Sequence, residues 1–167
     1  MKRSVVVLAA ACLCVLPWLV AGDDSDPVKD FEPGWSSADA ETDVAEGAKE
    51  AVDVVEGFSR ALVAGDMDKA AKHLHPEVLV LENGAVDRDR AAYLEDHAPY
   101  DVEFLQSVRT EVQRRTARVS DDLVWVTSES EMDSVDDGEL ETRSFVETMI
   151  LRNTDDEWRI VHIHWSS

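Results

Sequence analysis

Residues 55–84 read VEGFSRALVAGDMDKAAKHLHPEVLVLENG, and the fold follows from how this stretch divides. Its first part continues an apolar series, Ala48, Ala51, Val52, Val55, Phe58 and Leu62, spaced by threes and fours. That spacing is the period of a helix with one buried stripe. Gly65 ends the helix, and Asp66 can cap a second, short one running through Leu74. Pro76 then forces a break, because it lacks an amide donor and restricts the residue before it. Val78 to Leu81 is an aliphatic, β-prone run, and Asn83-Gly84 marks a tight turn at its end.

Towards the C-terminus, Asp87 can cap a third helix from Arg88 to about His97, which Pro99 stops. From Val102 onward the pattern becomes β-like. Turn signals at Ser120-Asp121-Asp122, Asp136-Asp137-Gly138 and Asn153 to Asp156 divide it into strands near 102–118, 123–135, 139–152 and 158–166. Three helices and one early strand followed by an antiparallel meander predict an α+β layer rather than a βαβ repeat.

Towards the N-terminus, residues 1–22 have the layout of a signal peptide: Lys2 and Arg3, an apolar run from Val5 to Val20, then Ala21 and Gly22. The run includes Pro17 and meets Asp23, Asp24 and Asp26, which argues against a retained membrane span. The expectation is a periplasmic or secreted protein, with no membrane association after cleavage. Both cysteines, Cys12 and Cys14, fall in this segment, so packing rather than disulfides must hold the mature fold. Residues 23–46 carry nine acidic side chains against one lysine, with Pro27, Pro33 and Gly34, and read as a disordered acidic leader. What remains, 47–167, is enough for one core and not for two. The formal net charge of −20 excludes a nucleic-acid partner. The one basic cluster, Arg114, Arg115 and Arg118, reads as a solvated strand face.

The stretch from Val55 to Gly84 resembles the opening of SnoaL-like and ketosteroid-isomerase-like domains of the nuclear transport factor 2-like superfamily. The end, VETMILRNTDDEWRIVHIHWSS from Val146, resembles that superfamily's closing strands, and especially those of the calmodulin-dependent kinase association domain. The resemblance implies a cone-like fold, a strongly curved antiparallel sheet wrapped by three N-terminal helices. It also implies a homodimer and an interior pocket for a small, partly apolar ligand. Residue by residue, it puts Glu82 where ketosteroid isomerases have their general base. Glu147 falls where they have a carboxylic acid that donates to the substrate oxygen. Phe58 replaces the tyrosine of that oxyanion hole, and a phenyl ring has no proton to donate. The scaffold hosts enzymes, binding proteins and assembly modules alike, so fold does not settle function.

The candidate acid–base residues are accordingly Glu82 and Glu147, with His97 as an alternative acid. Two carboxyls facing one apolar cavity have their ionisation pushed apart. The otherwise expected roles are a strand-end cap for Glu82 and an arginine partner on a neighbouring strand for Glu147. Arg90, Tyr93 and His97 share one face of the third helix and can clamp an anion. Alternatively, Tyr93 packs in the core, Arg90 faces water and His97 sits at the helix end. Phe58, Met149 and Trp165 are the expected apolar pocket wall, with Arg90 and Tyr93 beside them. On the last strand His162 and His164 alternate with Val161, Ile163 and Trp165. Two histidines are half a metal site and more readily an outer sheet face. No cofactor signature is present: the sequence has no phosphate loop, nucleophile elbow or metalloprotease helix.

Overall fold

The computed structural model describes residues 28–167. Residues 1–22, read above as a signal peptide and holding both cysteines, lie outside the described residues, as does the start of the acidic leader. The chain runs β1 (Gly34–Ser36), β2 (Glu41–Val44), α1 (Lys49–Val63), α2 (Met67–His73), β3 (Leu74–Glu82) and β4 (Ala85–Asp87). A helical stretch follows as α3 (Arg90–Ala92), a π-helical turn (Tyr93–His97) and α4 (Ala98–Leu105). It closes with β5 (Arg109–Ser120), β6 (Leu123–Asp136), β7 (Glu139–Thr154) and β8 (Glu157–Ser166).

The strands form one curved, unclosed sheet in the order β1-β5-β6-β7-β8-β3-β4, with β2 also on β5. The four C-terminal strands are the expected antiparallel meander. β3 joins β8 in parallel, and β1 and β2 follow one another along β5, also in parallel. The sheet is therefore mixed at its margins.

Helix α1 buries Ala51, Val55, Phe58, Ala61 and Leu62 against the inner face, the stripe that the sequence spacing predicts. Gly57 lies in its middle, because a Cβ there would come within 2.7 Å of the His73 imidazole. Glycine lets α2 cross α1 at that distance. Asp66 caps α2 by accepting from the Lys69 amide at 3.1 Å. Asn83 and Gly84 both have positive φ, 48° and 87°, which is the twist a two-residue hairpin needs.

Three expectations fail, each for a physical reason. Pro76 lies inside β3 rather than before it, where the register with β8 shifts between Leu74 and Leu79 and no ladder amide is needed. Pro99 does not stop the third helix. It stands in the first turn of α4, where a missing amide costs nothing, so the helical stretch runs on to Leu105 and the next strand begins at Arg109. Nor is the acidic leader disordered after residue 33. β1 and β2 supply backbone partners to the edge of β5, and Glu41 and Asp43 pair with Arg114 and Arg118 at 2.8 and 2.5 Å.

Side chains on the inner face of the sheet alternate with an outer face carrying Trp125 and Val146, 39% and 49% exposed. His162 and His164 also lie on the outer face, opposite the buried Ile163 and Trp165. Among the described residues, no helix is long and apolar enough to cross a membrane.

Candidate functional site

One lateral row of the sheet carries a chain of polar groups into the interior. Register pairs Arg115 with Ser128, Ser128 with Glu147, Glu147 with Trp165, and Trp165 with Glu82. Glu82 and Glu147 thus lie two strands apart on the same face, about 10 Å by strand spacing. Both line one cavity of about 60 Å³ between the sheet and α1 and α4. Leu62 and Leu105 close it from the helix side, and Trp35 of β1 closes one end. At its mouth Glu82, Asp101, Phe104, Met132 and Phe145 also border an outer cleft of about 550 Å³.

The far end of the row is a hydrogen-bonded chain. The Arg115 guanidinium is 2% exposed, ion-paired to Glu56 of α1 at 2.9 Å, and donates from Nε to Ser128 Oγ at 3.3 Å. Ser128 donates in turn to Glu147 Oε1 at 3.0 Å, and Trp165 Nε1 donates to Glu147 Oε2 at 2.9 Å. Both Glu147 oxygens therefore act as acceptors, which fixes the orientation of the carboxyl in the cavity wall. Arg115, expected on a solvated face, is instead the buried anchor of this chain. The guanidinium also stacks near the Trp35 ring, 5.9 Å from its centroid, and Ser37 donates to Glu56 at 2.9 Å.

The near end is a carboxyl cluster. Tyr93, His97 and Asp101 succeed one another by four residues through the π-helical turn and α4, and all three point toward Glu82. His97 Nδ1 lies 2.9 Å from Asp87 Oδ2, and its Nε2 lies 3.6 Å from Glu82 Oε2. The Tyr93 hydroxyl donates to Asp101 Oδ2 at 2.8 Å. Burial, then the facing charge of Asp101, raises the Glu82 carboxyl above its ordinary value. Burial likewise raises Asp101, against the opposing effects of the Tyr93 hydrogen bond and His97. Burial works to lower His97, but the bond to Asp87 and the surrounding carboxylates outweigh it and raise it. Glu82 Oε2 is buried with no hydrogen-bond partner, as is Thr110 Oγ1 in the cavity wall.

Of the residues expected at the site, Glu82, Glu147 and Trp165 line the cavity. His97 reaches it only through Glu82. Phe58 stacks behind Trp165 with ring centroids 6.4 Å apart and is fully buried, so the core has taken it from the pocket wall. Met149 is buried likewise, one layer further along β7. Tyr93 is a core residue that touches the site through Asp101. Arg90 points away and donates to the Ala71 and Leu74 carbonyls at 3.3 and 3.2 Å, tying α3 to the end of α2. The anion clamp expected from Arg90, Tyr93 and His97 is therefore not assembled. Asp87 does not cap the third helix; Asp89 does, accepting from the Ala92 amide at 2.9 Å, which leaves Asp87 free to hold His97. His162 and His164 have no third ligand grouped with them among the described residues.

Asp101, Arg115 and Trp35 were not anticipated as site residues. For Asp101 the signal existed, since the step of four from Tyr93 to His97 continues to it once Pro99 is allowed inside a helix.

A family model for the SnoaL-like domain matches residues 52–167. The chain belongs to the SnoaL-like family. Among solved structures, this SnoaL-like chain is similar to a candidate ketosteroid isomerase from Shewanella frigidimarina, at 25% identity and a TM-score of 0.68. That match covers 74% of this chain and 98% of the other. It is also similar to the CaMKII hub of S. rosetta, at 21% identity and a TM-score of 0.60, over 73% of this chain and 97% of the hub. An NTF2-like protein with a cystatin-like fold from Novosphingobium aromaticivorans matches at 16% identity and 0.61, over 72% and 80% of the two chains. No curated protein matches significantly. β1 and β2 precede the matched residues, so the SnoaL-like core is completed here by a segment outside the family model, one that contributes Trp35 to the cavity.

Proposed function

We propose that this SnoaL-like protein binds a small ligand with a compact polar head in the inner cavity and a larger, partly apolar portion in the outer cleft. The observation that carries this reading is the row from Glu82 to Arg115 facing a cavity whose helix side is mainly apolar, with Leu62, Val63, Phe104 and Leu105 beside Ser59 and Asp101. A few fixed polar groups in an apolar hollow are the general form of a small-molecule site. The inner volume of about 60 Å³ sets the size of the head, since a single water needs about 10–15 Å³ on this measure. Thr110 Oγ1, buried and unpartnered in the wall, is a ready hydrogen-bonding group for it.

Native mass spectrometry of the purified protein tests this directly. A bound small molecule is expected, and Ser130→Leu, which fills the cavity from the wall, should lower its occupancy at least about tenfold, a difference of ~1.4 kcal/mol. Equal occupancy in Ser130→Leu would place the ligand elsewhere.

A second reading has its own support. Glu82 is desolvated, raised in proton affinity, and has an oxygen without a partner at the cavity mouth, which suits a general base. In any proton-transfer reaction found for the protein, Glu82→Gln should cost about 10²–10⁴-fold in rate. A variant that keeps the wild-type rate removes the catalytic reading and leaves the binding one.

We also infer a homodimer formed through the outer face of the sheet, where Trp125 pairs with Ile150 and Val146 lies four residues from Ile150 on the same face of β7. Trp125→Glu should shift sedimentation from dimer to monomer. A wild-type chain that sediments as a monomer at high concentration would contradict this.

A further inference from the structure

The mouth of the cavity brings three carboxylates and one imidazole together, and neither a lysine nor an arginine is among the charges acting on Glu82 and Asp101. The arrangement is more specific than an acidic patch. One donor atom from each of Glu82, His97 and Asp101 lies within 4.8 Å of the other two. A tetrahedral ion with bonds of about 2.1 Å needs donors about 3.4 Å apart. His97 Nε2 and Glu82 Oε2, at 3.6 Å, already meet that spacing.

The groups behind these donors point the same way. A metal-binding histidine characteristically donates its other ring N–H to a carboxylate, which fixes the tautomer and aims the free lone pair. Asp87 stands in that position on His97 Nδ1, so Nε2 is the nitrogen that faces Glu82. Asp101 is oriented in the same manner: Tyr93 holds its Oδ2, and its carboxyl faces that of Glu82 within hydrogen-bonding reach. Glu82 Oε2, the third donor, is buried with no hydrogen bond of its own. Two of the three ligand residues, Glu82 and Asp101, line the cavity, so a fourth coordination position would open into it.

We propose that Glu82, His97 and Asp101 form a site for a divalent first-row transition metal such as Zn²⁺, with an open coordination position facing the cavity. One nitrogen and two carboxylate oxygens select this class over Mg²⁺ and Ca²⁺, which take oxygen alone, and over soft thiophilic ions. Three protein ligands with an open position is the pattern of a working rather than a structural zinc site. The proposal goes beyond the binding reading and does not depend on it.

The test is titration of chelator-treated protein with Zn²⁺, in excess Mg²⁺ to occupy the diffuse sites that a net charge of −20 creates. One Zn²⁺ per chain is expected. His97→Ala and Asp101→Asn should each weaken it by at least tenfold, and Asp87→Asn, which touches no metal, by about 10–100-fold. His162→Ala/His164→Ala should bind as wild type does. Because the ligand variants can misfold, Co²⁺ is added to the wild-type chain as a second measurement. Its paramagnetism should displace the His97 ring resonances most, and those of His162 and His164, on the opposite face of the sheet, far less. No Zn²⁺ bound above the Mg²⁺ background, unchanged affinity in His97→Ala and Asp101→Asn, or Co²⁺ shifts centred on His162 and His164 would each overturn the site. Retention of an apolar ligand by chelator-treated protein bears on the cavity reading alone, so the two can fail separately.

Discussion

Glu56→Ala is expected to lower the unfolding free energy by about 3–5 kcal/mol, the usual cost of breaking a buried ion pair from one side. The reason lies in the partner left behind. Arg115 is 2% exposed, and a guanidinium cannot shed its proton to escape burial. Without Glu56 the charge keeps only the Ser128 hydroxyl and the face of Trp35. The opposite change is milder. Arg115→Met leaves Glu56 about a fifth exposed and still paired with Arg60 at 2.6 Å, so about 2–3 kcal/mol is the expected cost, below the usual range. Urea unfolding of both variants measures the asymmetry. Equal losses, or a smaller loss for Glu56→Ala, would mean that Arg115 finds water or another anion.

Trp165→Ala should cost a similar amount, about 3–5 kcal/mol, from the cavity left by a large buried ring. Trp165 is 7% exposed and stacks on Phe58 at an interplanar angle of 10°. Its indole also donates to Glu147, so the ring links the apolar core to the polar row. Trp165→Phe separates the two contributions: it keeps most of the packing and loses the donor, with an expected cost of about 1.5–3 kcal/mol for a hydrogen bond to a charged group. If Trp165→Phe proved as damaging as Trp165→Ala, the hydrogen bond rather than the packing would dominate. If it cost nothing, Glu147 would have another donor.

The Arg115 ion pair and the Trp165 indole stand at different points of the same row, and the row shows how local signals and long-range pairing divide the work. Periodicity placed Phe58 and Leu62 on the buried stripe of α1, Asn83-Gly84 at a turn, and four strands after the helices, because each depends on neighbours a few residues away. The resemblance of residues 55–84 and of the end of the chain put Glu82 and Glu147 in one interior, and both do line the cavity. Phe58 and Met149 were legible as buried but not as core rather than pocket wall, since that depends on which ring stacks in front of them.

What the sequence determined by itself was the succession from α1 to β3, the run of four C-terminal strands, and the inward phase of α1 and β8, since helix and strand periods are written in local spacing. Pairing decided the rest. The acidic leader and the basic residues Arg114 and Arg118 were both visible as charge runs, more than sixty residues apart. Only the parallel addition of β2 to β5 made them partners, turning apparent disorder into strand. In the same way the four-residue step from Tyr93 through His97 to Asp101 became a site only when the helix passed Pro99 and came to rest over the end of β3. Side chains distant in sequence acquire a common chemistry through register and packing, which no local window contains.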